Sequence, residues 1–365
     1  MAEPQPTPTA EPPETIPIRD GEDFDQAKLA AYLTGKLPRG SDRPLEIVQF
    51  AGGHANLTYL LRYGDAEYVL RRPPLGPVAP TSHDMAREYR VLSVLYAGYR
   101  PAPRAYLYCA DPAIIGAPFF VMERRRGIVV RRTVPPEFGG GRDPTINRRI
   151  SEVLVDTLAD LHDVDPRAVG LGDLGKPAGF MRRQIDGWTA RYERAKTKEV
   201  PTVAELAQWL RDHLPPSPAP TLLHNDWRLD NMMLDARDAG RCEAVFDWDM
   251  CTLGDPFADL GTLLSAWIEA SEGSPGQGEV GMPSTVPGFL TRRAAVERYG
   301  KRRGIDVSNV PYYYVFGIFK IAVVLQQIYY RYHVGQTTDQ RFQFFEQGAE
   351  MLFWKAKQRS EQLTL

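Results

Sequence analysis

Asp226, Asn231 and Asp247 lie in one stretch of the chain, residues 221–260, in which two strand-like apolar runs flank a polar loop. Carboxylate and amide oxygens are ligands that Mg²⁺ accepts, and a positioned carboxylate can orient a hydroxyl group or take its proton. Transfer of a γ-phosphoryl group depends mainly on such positioning and on charge neutralisation around magnesium. The pattern therefore indicates phosphoryl transfer, with Asp226 meeting the acceptor hydroxyl and with Asn231 and Asp247 binding the metal.

The order of these residues resembles a known family. The spacing D-x-R-x-x-N from Asp226 to Asn231 is similar to the catalytic loop of protein kinases, and the later D-W-D from Asp247 to Asp249 is similar to their D-F-G. With Gly254-Asp255-Pro256, the stretch resembles the aminoglycoside phosphotransferase-like family. More narrowly, HNDWRLDN, FDWDMCTLGDP and an upstream YVLRRPP resemble its branch of kinase-like domains associated with acyl-CoA dehydrogenases.

This resemblance implies an α+β protein with a two-lobed protein-kinase-like fold. A small antiparallel β N-lobe would precede a larger, mainly helical C-lobe, with ATP between them. The resemblance also implies that Arg228 stabilises charge on the moving phosphoryl group and that Asp249 assists the other metal ligands. ATP and Mg²⁺ are thus the expected cofactors. We expect an N-lobe over residues 23–123 and a C-lobe over 124–365.

The N-lobe carries the candidate nucleotide-binding residues. The paired glycines between two strand-like runs would let backbone amides approach a phosphate, although such a pair is also common in plain hairpins. By resemblance, Arg71 of the YVLR run takes the place of the ATP lysine; it keeps the charge but not the geometry. The resemblance pairs it with a carboxylate of the next helix; the alternative is that this carboxylate is simply exposed to solvent. Adenine would contact the backbone at the end of the FFVME run. The candidates are Gly52, Gly53, Arg71, Glu88, Met122 and Glu123.

Other polar residues of the 221–260 stretch have structural interpretations. We expect His224 to be a packed loop residue rather than a ligand, and Asp230 to be a solvated turn carboxylate, with a substrate contact as the alternative. Asp255 and Asp259 are expected to accept backbone N–H groups, because Gly-Asp-Pro before an apolar helix is a good N-terminal capping arrangement.

The composition excludes several classes of protein. With 365 residues, 43% of them hydrophobic, the chain can bury a large core, and its net charge of −2 gives no reason to expect nucleic acid. Three cysteines without CxxC or zinc-like spacing indicate neither disulfides nor a zinc site, which fits a reducing, cytoplasmic setting. The apolar stretch 312–325 contains Lys320 and is too short to span a bilayer, so we expect a buried helix and no membrane partner.

Periodicity predicts the elements that position these residues. Residues 1–22, rich in Pro, Glu and Thr, are expected to be a disordered or extended tail. A lead-in helix over 23–37, strands over 45–50, 57–63, 67–72 and 119–123, and a helix over 81–96 would build the N-lobe. Helices over 146–162, 180–196, 203–213, 257–270, 289–303, 311–333 and 339–358 would build the C-lobe.

The resemblance implies that the acceptor is a small molecule with a hydroxyl group, and two features bear on its charge. Residues 124–149 hold eight arginines against Glu137 and Asp143, which is either solvated surface or a patch for an anionic acceptor such as a hydroxyacyl-CoA. Polycationic aminoglycosides, the alternative acceptors, need a carboxylate-lined pocket. The loop 265–288 carries only Glu269, Glu272 and Glu279.

Two further functions remain open at this level. A nucleotide-binding pseudokinase is favoured if Arg71 and Asn225, which stands where the family usually has glycine, signal lost activity. A metal-dependent phosphohydrolase would use the same carboxylates, but two-metal sites usually need more ligands, often histidines, and the chain has six histidines in all. No pattern in the sequence indicates an oligomeric state.

Overall fold

A computed structural model of the chain describes residues 14–52, 56–74, 84–272 and 282–365. Contacts divide the chain into two compact units, Met1–Ser93 with Pro103–Arg125, and Val94–Ala102 with Arg126–Leu365. The first unit ends shortly after the expected end of the N-lobe at residue 123.

The first unit is built on an antiparallel sheet with strand order β1-β2-β3-β4-β6-β5. Because side chains alternate along a strand, Tyr59 and Leu61 share one face with Leu70, and helix α1 buries Leu29 and Leu33 against that face. The elements are β1 (Thr15–Ile16), α1 (Gln26–Leu33), β2 (Glu46–Phe50), β3 (Leu57–Tyr63), β4 (Ala66–Arg72), α2 (Met85–Leu95), β5 (Ala105–Cys109) and β6 (Phe119–Glu123).

The second unit is mainly helical and contains two small antiparallel sheets in its described part. Its helices are α3 (Pro144–His162), α4 (Phe180–Ala195), α5 (Pro201–Asp212), α6 (Pro256–Ser265), α7 (Arg292–Arg303), α8 (Val310–His333) and α9 (Phe345–Gln362). One sheet joins β7 (Ile128–Val129), β9 (Met232–Asp235) and β10 (Asp238–Val245), and the other joins β8 (Thr221–Leu223) to β11 (Thr252–Gly254). These short strands bracket the loops that carry the candidate catalytic and metal-binding residues.

Helices α6 and α8 touch backbone to backbone. A methyl group at Gly317 would lie 2.2 Å from the carbonyl oxygen of Gly261, and one at Gly261 would lie 2.1 Å from that of Tyr313. Glycine is required at both positions because no larger residue fits. Most of α8 is buried, as expected for the 311–333 segment. No helix in the described ranges is both long enough and apolar enough to cross a bilayer.

Two expectations from the sequence are corrected. Residues 14–22 of the tail, expected to be disordered or extended, are ordered: Thr15 pairs with Phe50 in the sheet, and the Tyr59 hydroxyl donates to the carbonyl of Glu22 at 2.6 Å. These contacts are backbone and polar ones, which an apolar pattern does not reveal. Helix α6 ends at Ser265 rather than at residue 270, because the chain turns to bury Trp267, whose indole donates to the carbonyl of Leu290 at 2.9 Å.

Candidate functional site

Asp226 and Asn231 are joined by hydrogen bonds within the loop between β8 and β9. The Asn231 side-chain amide donates to the Asp226 carboxylate at 2.9 Å and to the Asp226 carbonyl at 2.8 Å. A short 3-10 turn, Leu229–Asn231, brings the two residues together, and fully buried Trp227 anchors the loop by donating to the carbonyl of Leu154 on α3. The candidate base is therefore held by the amide of a candidate metal ligand.

Asp247 reaches the same place through strand pairing. In the β9–β10 hairpin Met232 is opposite Val245, and the N–H of Phe246 donates to the carbonyl of Asn231 at 2.8 Å. Asn231 therefore lies just before β9 and Asp247 just after β10, at one end of the hairpin. Asp247 has a left-handed backbone, φ 71°, which Asp tolerates better than most residues.

His224 ties these segments together. Its Nε2 donates to the carbonyl of Phe246 at 2.8 Å, and its Nδ1 accepts the N–H of Asp226 at 3.3 Å, which assigns the proton to Nε2. The buried imidazole also packs edge-on against Trp248, with ring centroids 4.9 Å apart. His224 is a structural loop residue, as expected, that bridges the segments carrying Asp226 and Asp247.

The buried carboxylate of Asp259 holds the start of the loop. It accepts the N–H groups of His224 at 2.6 Å and Asn225 at 2.7 Å. Burial acts to raise the pKa of Asp259, but the hydrogen bonds from the His162 imidazole and the His224 backbone lower it below its usual range. Asp259 thus accepts backbone N–H groups, as expected, but they belong to this loop rather than to its own helix, which Asp255 caps by accepting the N–H of Phe257 at 3.0 Å.

Arg228 lies among three carboxylates. Its guanidinium donates to Asp230 at 2.8 Å and approaches Asp226 at 3.8 Å. Asp230, whose side chain is 39% exposed in the 3-10 turn, is the solvated turn carboxylate we expected, paired here with Arg228. Burial acts to lower the pKa of Arg228, but the charges of Asp226, Asp230 and Asp247 outweigh it and raise the pKa. A permanent positive charge thus stands beside the candidate base and the candidate metal ligand.

Asn225 occupies the position where the family usually has glycine. Its backbone is left-handed, φ 68°, a conformation in which asparagine is the best tolerated substitute for glycine. The side chain uses this position, since its amide donates to the carbonyl of Met250 at 2.8 Å. The substitution therefore preserves the loop.

The donor chemistry at the end of the hairpin fits magnesium. Mg²⁺ is usually held in such sites by one or two carboxylates together with substrate phosphates and water. The carboxylate of Asp247 and the side-chain carbonyl oxygen of Asn231 provide a set of that kind. Asp249 lies two residues beyond Asp247 in the 3-10 turn Trp248–Met250, half-buried, and its part in metal binding stays a prediction. Among the described residues, no group of three or more His, Cys, Asp or Glu side chains forms a metal-binding cluster.

In the first unit the structure brings Arg71 and Glu88 together. Arg71 of β4 points away from the face that packs on α1, and its Nε lies 3.1 Å from the carboxylate of Glu88 on α2. The Glu88 side chain is 1% exposed and that of Arg71 10%. This is the expected pairing, although their role at a nucleotide remains a prediction.

The other predicted nucleotide-binding residues differ in their exposure to solvent. Gly52 is exposed just after β2, whereas Gly53 lies outside the described residues. Met122 is buried in β6 opposite Val69, and Glu123 ends that strand. The Glu123 N–H donates to the carbonyl of Arg104 at 2.8 Å, and a contact of this residue with adenine stays a prediction.

Half of the arginines in the basic segment 124–149 pair with carboxylates of this chain. Four of its eight arginines pair with carboxylates: Arg124 with Glu14, Arg125 with Glu123, Arg148 with Glu152 and Arg149 with Asp238. Arg131 and Arg132 are exposed. The segment thus gives little support to an anion-binding patch.

Comparison of the sequence with known proteins identifies a family and several relatives. Residues 46–293 match the model of the phosphotransferase enzyme family. The chain is 34% identical over 363 residues to acyl-CoA dehydrogenase family member 11 of Gallus gallus, covering 96% of this chain but 45% of that protein. The chain therefore spans less than half the length of this relative.

Solved structures share the fold. A Ralstonia eutropha JMP134 protein, provisionally named an aminoglycoside phosphotransferase, superposes with a TM-score of 0.80 at 29% identity, covering 93% of this chain and 99% of that one. A thermostable aminoglycoside phosphotransferase mutant in complex with AMP-PNP and hygromycin B gives a TM-score of 0.56 at 14% identity, covering 91% and 98%. The expected kinase-like α+β fold is confirmed.

Proposed function

The chain belongs to the phosphotransferase enzyme family, and on that basis we propose that it is an ATP-dependent kinase that phosphorylates a hydroxyl group of a small molecule. The observation that carries this proposal is the hydrogen-bonded set in which Asn231 joins Asp226 to the strand end that bears Asp247. It combines a proton acceptor with metal ligands at one place, which is what phosphoryl transfer requires.

Each residue then has one task. Asp226, whose side chain is about one-third exposed, accepts or orients the proton of the acceptor hydroxyl. Arg228 neutralises charge that develops on the transferred group. Asn231 and Asp247, assisted by Asp249, would hold Mg²⁺, and Mg·ATP when bound supplies the phosphoryl group and the metal charge. His224 and Asp259 keep this geometry fixed.

The nucleotide would be bound mainly by the first unit. Arg71, paired with Glu88, is assigned to the phosphates, together with Gly52 and Gly53. Arginine can serve here because its guanidinium can contact phosphate oxygens in a bidentate manner. Met122 and the carbonyl of Glu123 are assigned to adenine.

The pseudokinase alternative loses its two supports. Arg71 retains a buried carboxylate partner, and Asn225 keeps the left-handed backbone that glycine would adopt. Neither substitution disrupts the arrangement that contains Asp226, Asn231 and Asp247.

An aminoglycoside acceptor is disfavoured by the pairing of the carboxylates in the loop 265–288. Glu269 accepts the N–H of Arg292, and Glu272 pairs with Arg292 and with Lys355. Glu279 lies outside the described residues. Carboxylates already neutralised by internal cations contribute little to binding a polycation.

An anionic acceptor, such as a hydroxyacyl-CoA, is supported by two cations on one aromatic ring. The Arg191 guanidinium stacks on the buried Trp188 indole, 4.4 Å from its centroid, and the Lys320 ammonium lies 5.7 Å from the same centroid. Burial, and then the charge of Arg194, lower the pKa of Arg191. Within the described ranges Arg191 has no ion pair. An anionic ligand would therefore relieve the repulsion of Arg191 by Arg194 and Lys320.

The proposed activity is tested by offering the purified chain Mg·ATP with pools of hydroxyacyl-CoA esters, aminoglycosides and amino alcohols. Acceptor-dependent ADP release, with a phosphorylated product seen by ³¹P NMR, is expected in the wild type and not in Asp226→Asn. Mg·ATP binding without turnover of any pool would contradict kinase activity and favour a binding module.

The charge of the acceptor is tested in the same assay. The KM for an arginine-held anionic acceptor should rise with salt, because screening weakens the contact. Productive binding of kanamycin-like polycations, with no response to CoA esters, would overturn the anionic assignment.

A further inference from the structure

Lys320 is a charged side chain in the middle of a buried helix. It is the only charged residue between Val310 and Tyr330, and the residues before it on α8, Tyr312–Phe319, are buried. Placing an ammonium group in such surroundings is costly unless it makes strong polar contacts. Its partners therefore indicate why it is there.

The Lys320 ammonium is directed at the loop that carries Asp226. It donates to the carbonyl of Asn225 at 2.7 Å and lies 3.4 Å from the Thr262 hydroxyl on α6. The Asn225 contact joins residues 95 positions apart in the chain. A charge-assisted bond of this length is among the stronger hydrogen bonds in proteins.

The contact falls on the peptide group that immediately precedes Asp226. The carbonyl of this group accepts from Lys320, and its N–H, which belongs to Asp226, donates to Nδ1 of His224. The preceding N–H, that of Asn225, is held by Asp259. Rotation of the peptide plane between Asn225 and Asp226 is therefore opposed on both sides.

We infer that Lys320 is a positioning residue that fixes the orientation of Asp226 by holding the Asn225 carbonyl. It acts from outside residues 46–293, the range that matches the family model. The inference deepens the proposed function, since Asp226 is its target, but the restraint on the loop exists whether or not an acceptor is known.

The test compares two polar residues of the same helix. Lys320→Met removes the donor at similar length. Gln326→Met is the matched control, because Gln326 also projects from α8, is buried, and donates to a backbone carbonyl, that of Ala195 at 3.0 Å, away from the Asp226 loop. Both variants are measured for thermal unfolding, for Mg·ATP affinity and for hydrogen exchange of the peptide 221–232.

Lys320→Met should speed exchange in residues 221–232, and Gln326→Met should not. With an acceptor in hand, Lys320→Met should lower kcat roughly 10- to 100-fold with a change of less than about twofold in the KM for Mg·ATP, since a small misplacement of a reacting group has effects of this size. Lys320→Arg, which keeps a charged donor, should restore part of kcat.

Two results would overturn the inference: unchanged exchange in residues 221–232 of Lys320→Met, or equal losses in the two methionine variants. Failure of the proposed function looks different. A wild type that phosphorylates no acceptor, together with faster exchange only in Lys320→Met, would refute the kinase assignment and leave the positioning role in place.

Discussion

The side-chain amide of Asn231 bonds to both the carboxylate and the carbonyl of Asp226. Both bonds use the amide nitrogen, so the side-chain carbonyl oxygen takes part in neither of them. This oxygen is the atom that we predict to contact the metal. One residue thus aims the candidate base with one atom and presents an oxygen with another. The following predictions depend on this sharing of tasks.

Replacing the candidate base should strongly slow turnover without preventing nucleotide binding. Asp226→Asn keeps the shape of the side chain but removes the proton acceptor, and loss of a positioned general base lowers kcat by roughly 10²–10⁴-fold. Steady-state kinetics and calorimetric titration with Mg·ATP measure the two effects. Asp235→Asn, at the opposite end of β9, is the control and should keep wild-type kcat. Wild-type turnover by Asp226→Asn would remove Asp226 from the site.

Removing the charge of Asp247 should weaken binding of Mg·ATP far more than binding of adenosine. We choose Asp247→Asn because asparagine tolerates the left-handed backbone at this position, whereas alanine would add strain. Calorimetry with each ligand separates metal binding from folding. Equal losses of affinity for both ligands would indicate damage to the fold and count against a metal role.

Breaking the Arg71–Glu88 pair should destabilise the protein. Arg71→Met removes the cation next to a carboxylate that is 1% exposed, and removing one member of a buried ion pair costs about 3–5 kcal/mol. Denaturant unfolding of Arg71→Met, Glu88→Leu and the double variant measures the coupling. We expect the double variant to lose less than the sum of the single losses. Additive losses would show that the two side chains do not stabilise each other.

The alkaline limit of kcat should depend on Lys320. Burial lowers its pKa below the ordinary 10.5, opposed by the nearby charges of Asp226 and Asp259 and assisted by those of Arg191 and Arg228. The ammonium form exists below this pKa, so its charge-assisted bond to Asn225 weakens as pH rises through it. In Lys320→Arg the guanidinium stays protonated, and the alkaline limb of the kcat–pH profile should move to higher pH. An unmoved limb would assign that titration to another group.

Stability should fall in acid partly through Glu272. Burial acts to raise its pKa, but hydrogen bonds from Arg292 and Lys355 lower it to about 2, from 4.5. A depressed carboxylate pKa adds stability above pH 4.5 that disappears as pH falls toward 2. Glu272→Gln should therefore lower the unfolding midpoint at pH 7 and have a smaller effect at pH 3. Glu297→Gln, in an exposed pair with Arg293, should have little effect at either pH.

Sequence reasoning located the local features of the site well. The spacing from Asp226 to Asn231 corresponds to one tight turn, and the strand 57–63 has the predicted bounds, because both depend on neighbours in the chain. The pairing of Arg71 with Glu88 came from resemblance, which carries information that periodicity lacks.

The contacts that hold the loop were not predicted. Asp259 reaches His224 and Asn225 across more than thirty positions, and Lys320 reaches Asn225 across 95. Such contacts follow from helix packing, which no local pattern encodes. The strands β8 and β11, of three residues each, are likewise too short to show a period. The one available signal for Lys320 was a lysine inside an apolar run.

The crossing of α6 and α8 at Gly261 and Gly317 determines where residues can be inserted or deleted without harm. Connections between helices can grow or shrink at the surface with little consequence for this contact. The three-residue step from Gly317 to Lys320 has no such freedom, because one inserted residue turns everything beyond it by about 100° around the helix axis. With the glycines seated against each other, such an insertion would leave the crossing intact and swing the ammonium group away from Asn225. Insertions and deletions are therefore tolerated in the loops around α8, but the three-residue spacing from Gly317 to Lys320 has to be kept.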